Sequence, residues 1–308
     1  MMVRLKPFVF PVILLLGGMA AGYLFLGGAP RQVPEDTRPE PPLRGLTSVA
    51  VDNQDQVWVG GAFGIKKLDD CFREAGGWST VESVTALDLD MDGNVYALHA
   101  TSVEKFSPDG KPLLKWGKGG CGGDPFGYAT GICVSGENIF IADAGLKTVF
   151  RFNRMGEPIN EIASTAMGAT TTGFFIPTPY FDCAVHEGVL SVPNPGHLRV
   201  ERYDFEGHPL DRWGKPGAKE DEFPGCSNPT NLAILPGGDI VVSQKGQPCL
   251  KLFDSKGTYL KTFGASLFNP STQGIDLAVN TKGEIFAVDP ESCRIHSFDL
   301  EIERENPL

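Results

Sequence analysis

Asp182, Asn231 and Asp276 are the side chains of this 308-residue chain best suited to hold a ligand. Each stands at the first position of a short alternating segment that the chain writes several times over. Aligned, those first positions read Ser48, Ala86, Gly131, Asp182, Asn231 and Asp276. Three consecutive copies thus offer two carboxylates and an amide, and an oxygen-rich set of this kind suits Ca2+ or Mg2+. The competing reading is local: each side chain caps backbone groups where its segment begins.

A second set lies just beyond the segment that follows each of these. It contains His99, Asp143, Asn194, His197, Lys245, Asp289 and Glu291. A histidine there could move protons for a bound ligand. Asp143 and Asp289 close the repeated motif, and their expected role is to bond neighbouring loop backbone. His186 and His208 fall in the opposite turns and His296 on an outer strand, so at most His99 and His197 reach the same face. No GxSxG, HExxH or other nucleophile–base–orienter set is present. The glycine-rich GGCGGD lacks the GK[ST] of a phosphate loop.

The seven cysteines contain no CxxC and no CxxCH haem motif. Cys133 and Cys183 have opposite strand parity in adjacent copies, as do Cys249 and Cys293, so each pair could face the other. Cys121 and Cys226 fall in long loops on one face and could pair or bind something together. Disulfides, buried free thiols and a shared redox centre coupled to a membrane electron-transfer assembly all remain open.

The elements that must position these residues are strands. Apolar residues alternate with period two and are broken by Gly, Asn, Asp and Pro clusters, as in antiparallel hairpins. Six copies align on Val57, Val95, Ile139, Val189, Ile240 and Ile285, spaced 38 to 51 residues apart. Each continues into a third strand, and several into a fourth, clearest at Lys111–Trp116, Pro209–Trp213 and Thr258–Phe263. Four-stranded units at this period predict an all-β, six-bladed β-propeller. One such sheet is apolar on both faces, and stacking blades around an axis buries those faces and closes the ring. Either Leu300–Arg304 or a segment near Pro41–Gly45 completes the last blade. Three inter-blade loops are long. One of them carries Phe174, Phe175, Ile176, Tyr180 and Phe181, either as a plug over the channel or as a partner-binding patch.

The repeat resembles the NHL repeat: a glycine turn, then (I/V)(F/Y)(A/V)(A/V)D, a short loop, R(I/V)xxF(D/N) and GxxLxx(W/F)G. FAVDPESCRIHSFD in copy six and FIADAGLKTVFRFN in copy three match best. Copy one is degenerate, and copy two has Leu98-His99 where the motif has Asp. The resemblance spans roughly Leu43 to Leu300 and is similar to exported bacterial NHL proteins. It implies the propeller fold, with loops between blades and between second and third strands on one ligand-facing side. Lactonase-like propellers carry a channel metal on carboxylate and amide ligands, and Asp182, Asn231 and Asp276 are similar in type. Amidating lyases built on this repeat use a histidine-rich zinc site, for which two histidines are too few.

Composition supports this frame. Gly at 38 and Pro at 24 suit many turns, and a net charge of −11 without a basic stripe excludes nucleic acid as a partner. Residues 1–30 carry Arg4 and Lys6 before a long uncharged run, which predicts a signal-anchor transmembrane helix. Residues 31–42 are a proline-rich linker and residues 43–304 the propeller. The expected protein is held at a membrane with its domain outside the cytoplasm. It binds a protein or small molecule through its loop face. The alternative is a divalent-metal hydrolase or lyase, with His99 or His197 shuttling protons.

Overall fold

The structure, a computed structural model, describes residues 3–4, 43–117, 126–163, 173–225 and 227–302. The expected transmembrane helix and linker lie outside the described residues. Among the described residues no helix is long and apolar enough to cross a membrane.

The chain forms a six-bladed propeller. Blade 1 is Leu46–Val51, Val57–Gly61, Gly64–Leu68 and Glu74–Trp78. Blade 2 is Ala86–Leu89, Val95–Leu98, Ser102–Phe106 and Pro112–Gly117. Blade 3 is Ala129–Ser135, Asn138–Asp143, Thr148–Asn153 and Pro158–Ile162. Blade 4 is Ala184–His186, Val189–Asn194, Arg199–Tyr203 and Pro209–Trp213. Blade 5 is Leu232–Ile234, Ile240–Gln244, Cys249–Phe253 and Tyr259–Phe263. Blade 6 has three strands, Asp276–Val279, Ile285–Asp289 and Arg294–Phe298. Within each sheet the strands lie in chain order, every neighbour antiparallel, with the first innermost.

The turns explain the meander. In the third-to-outer hairpins of blades 3, 4 and 5 an Asx side chain takes two backbone N–H groups and a glycine follows at positive φ. In blade 2 Ser107 stands in the Asx place before Gly110. Asp204 Oδ1 accepts from Glu206 and His208, and Asp254 Oδ1 from Lys256 and Thr258. The glycines have a second task. A Cβ on Gly257 would stand 2.2 Å from the Trp213 ring, and one on Gly110 2.7 Å from Trp78. The tryptophan ending one blade therefore packs on the bare turn of the next, which is what the repeated W-G and x-G spacing encodes. Blade 1 has Phe72 in the glycine place, at φ 58°, and blade 6 departs further. Asp299 stands where the turn should begin, but Ile302 occupies the glycine place, and Glu301–Ile302 instead pairs with Val3–Arg4. Neither segment expected to complete the last blade adds a fourth strand among the described residues.

The core is divided. Six apolar clusters occupy the six blade interfaces, for example Tyr96, Trp116, Ile139 and Phe152 between blades 2 and 3, and Val49, Val59, Phe286 and Val288 between blades 1 and 6. Inner strands of blade 6 and blade 1 pack together, which closes the ring.

Candidate functional site

Each inner strand has one edge toward the axis with no ladder partner, so its N–H groups need acceptors. Side chains of the preceding blade supply them. Ser48 Oγ accepts from Leu87 N at 2.9 Å, Asp182 Oδ2 from Leu232 N at 3.1 Å and Asp276 Oδ2 from Val49 N at 2.9 Å. Asn231 Nδ2 donates to Asp276 Oδ1 at 3.4 Å. The first position of the inner strand is thus a staple to the next blade. Threonines one residue earlier add a second ring. Thr47 Oγ1 donates to Val84 O and Thr130 Oγ1 to Phe181 O, both at 2.7 Å.

Sequence reasoning missed Asp88. It lies two residues further along its strand, where the alignment shows Ala184 and Ala278, yet makes the same bond: its Oδ2 accepts from Val134 N at 2.7 Å. The available signal was its parity, which matches that of the staple position. Asp88, Asp182 and Asp276 come from alternate blades and share one electrostatic environment. Burial pushes the Asp88 carboxyl up to about 7, and the Asp276 charge adds to this. Burial, then the charges of Asp276 and Asp88, raises Asp182 well above the carboxylate range. Burial raises Asp276 to about 6 against the pull of its donors. Asp88 and Asp276 keep partial accessibility, although protein surrounds them on every side. The surface that remains faces the narrow axial lumen, so the low-dielectric surroundings govern their titration.

The amide of Asn231 is only half used. Its Oδ1 is buried without a hydrogen-bond partner, in a residue that is 9% exposed. Among the described residues no three His, Cys, Asp or Glu side chains converge to hold a metal ion. Asp182, Asn231 and Asp276 are thus linked to neighbouring blades as staples, with a spare acceptor on Asn231.

The loop residues divide. Asp143 accepts from Gly127 N, Tyr128 N and Leu146 N at 2.8 to 3.0 Å. Asp289 accepts from Asn269 N, Glu291 N, Ser292 N and the Thr272 hydroxyl. Both tie the loop leading into their blade to the loop leaving its second strand, and Asn194 does the same with Phe175 N at 3.0 Å. His99 is 1% exposed, its Nδ1 3.0 Å from Ser83 O and its Nε2 3.6 Å from Glu104. That position locks it inside blade 2. His197 leans on Phe175 at 5.8 Å between centroids, and burial followed by the Arg199 charge lowers its pKa.

Lys245 reaches the loop that leads into blade 4. Its Nζ donates to Thr178 Oγ1 at 2.8 Å and lies 5.6 Å from the Tyr180 ring centroid. Tyr180 starts from blade 4 but covers ground in blade 6: a Cβ on Gly274 would stand 2.5 Å from its ring. Burial raises its phenol pKa, and the charges of Glu291 and Tyr128 add to this. The ring of Tyr180, two residues before Asp182, thus lies on Gly274, two residues before Asp276. The rest of its loop behaves otherwise. Phe174, Ile176 and Phe181 are buried between blades 3 and 4, and only Phe175 is exposed.

The cysteines are free thiols at Cys71, Cys133, Cys183, Cys249 and Cys293, so neither expected pair is bonded in the structure. Cys121 and Cys226 lie outside the described residues. Burial pushes the Cys133 and Cys183 thiols well up, with Asp88 adding to the first and Cys133 to the second, which keeps both protonated. Cys293 Sγ instead donates to Pro290 O at 3.5 Å. A pocket of about 380 Å3 lies apart from the axis, on the outer strands of blade 3 between Leu146, Phe150 and Glu161.

No family profile and no curated protein matches the chain. Solved structures do resemble it. A Bacteroides thetaiotaomicron VPI-5482 protein of unknown function aligns with TM-score 0.64 and 12% identity over 84% of this chain and 70% of that one. A streptogramin B lyase aligns with TM-score 0.58 and 13% identity over 84% of this chain and 94% of that one. A WD40 β-propeller domain of Doa1 aligns with TM-score 0.55 and 14% identity over 82% and 78%. Identities this low show the fold alone, and the fold they show is the propeller.

Proposed function

We propose that this protein is a binding scaffold of NHL-repeat type that presents its loop face to a partner, held outside the cytoplasm by residues 1–30. One observation carries the reading. Of the residues with catalytic potential, Asp143, Asp289 and His99 are engaged in backbone staples or locked inside a blade. By contrast Tyr128, Leu146 and Phe175 stand exposed on the loops of blades 3 and 4. Rigid blades carrying apolar loop residues above a stapled hub suit recognition better than turnover. The test is capture by the full-length protein in membranes of its native host. Leu146→Ala with Phe175→Ala should abolish recovery of a specific partner, while Met155→Ala, on the opposite turns, should leave it intact. Equal capture by all three proteins would overturn the reading.

A second reading rests on Asn231 Oδ1. With Asp182 and Asp276 it could help hold a divalent ion that polarises a carbonyl, the chemistry of a hydrolase or lyase. The lyase named among the similar structures is consistent with this reading at the level of fold. His197, rather than the enclosed His99, is then the proton carrier. Elemental analysis finding no ion, with Asp276→Ala leaving ligand binding intact, would remove it.

A further inference from the structure

The hub holds three acceptors with a matching geometry of demand. Asp182, Asn231 and Asp276 stand at or just before the inner strands of consecutive blades 4, 5 and 6, with Asp182 accepting from Leu232 N, next to Asn231, and Asn231 donating to Asp276. The carboxylates act on each other as like charges, and the Asp88 charge adds to the pair. The amide oxygen between them has no donor although it is buried. A buried acceptor without a donor is costly, and repelling carboxylates call for positive charge. Close by in the chain is an aromatic face, Tyr180, whose ring lies on Gly274, two residues before Asp276, and already has one ammonium, that of Lys245, near it. Glu291 stands at the rim and adds to the negative field on Tyr180.

We propose that the channel mouth binds a small primary ammonium ion, its head donating to Asp182, Asn231 and Asp276 and its carbon tail lying against Tyr180. A primary ammonium has three N–H donors, and the hub offers one acceptor from each of three blades. Ca2+ needs six to eight oxygens at a common short distance, whereas Asp182, Asn231 and Asp276 supply only two carboxylates and one amide oxygen. The aromatic face favours an organic cation over a hydrated metal, since a ring attracts a weakly hydrated charge and covers an apolar tail. The proposal rests on the reading that the loop face is the binding face, and it names the chemistry that the mouth of that face selects.

The experiment is calorimetric titration of the intact protein with n-butylammonium chloride, n-butanol, tetramethylammonium chloride and CaCl2. Butylammonium should bind with unit stoichiometry. Butanol lacks the charge and tetramethylammonium the donors, so both should bind at least about tenfold more weakly, the loss expected for charge-assisted hydrogen bonds. Asp276→Asn should weaken butylammonium by about tenfold or more. If that variant does not melt as a folded protein, Tyr180→Ala, which leaves every hub staple in place, should weaken it severalfold. No heat with butylammonium, equal affinity for tetramethylammonium, or calcium uptake without ammonium binding would each overturn the proposal. None of these results touches partner capture through Leu146 and Phe175, so the scaffold reading stands or falls separately.

Discussion

Asp276 and Asp289 are two carboxylates of one blade, on paired strands in which Asp276 faces Val288. They behave in opposite ways. Burial pushes on both, but at Asp289 the donors from Asn269, Thr272 and Ser292 outweigh it and hold the acid below its ordinary value. At Asp276 comparable donors do not suffice, and the acid rises to about 6. The difference lies in the neighbours. Asp289 gathers its donors inside its own blade. Asp276 reaches across to blade 1 beside an axis that also carries Asp182 and Asp88. A carboxylate that closes a loop is structurally satisfied, whereas one at the hub retains unmet demand for a proton or a cation.

The comparison can be broken most sharply at Asp289. Asp289→Ala should orphan a buried hydroxyl and three partly buried backbone N–H groups, at a cost of about 3 kcal/mol. Denaturant melts should show it, and an unchanged midpoint would contradict the staple role. Next in size is the turn that defines the blades. Gly257→Ala drives a methyl to 2.2 Å of Trp213 at φ +82°, and about 2 kcal/mol of destabilisation should follow in the same assay.

The pH response sharpens the contrast and is the smallest effect. The folded-state pKa values of Asp88 and Asp276 lie above the unfolded value of 3.8, so the folded protein binds these protons more tightly. Their contribution to stability is full below about pH 4 and is lost as pH rises through 6 and 7, on the order of 1–2 kcal/mol after allowing for the accessible lumen. Asp289 has the opposite sign: its contribution is present above about pH 4 and lost as pH falls below it. Asp88→Asn with Asp276→Asn should flatten the loss between pH 5 and 7.5 in thermal melts and leave the acid limb unchanged.

Much of the site was legible because the repeat is written in local chemistry. The Asp that ends the second strand announces a loop staple, and Asp143 and Asp289 act as such. Period-two alternation places the strands within a residue or two, as at Pro112–Gly117 against the expected Lys111–Trp116. Asp88 escaped because it sits out of the aligned column, and only the next blade's Val134 N reveals its role. Tyr180 was visible as an aromatic in a long loop. Its place depends on Gly274, which follows it by more than ninety residues in the chain.

The amino-acid order alone determined six units of antiparallel strands, since alternation, Asx turns and the tryptophan–glycine stack act over a few residues or between adjacent units. Tertiary structure decided how the ring ends and what meets at its centre. A side chain one blade away lies tens of residues distant in sequence, and whether it donates, repels or leaves an oxygen unpaired follows only once the ring has closed.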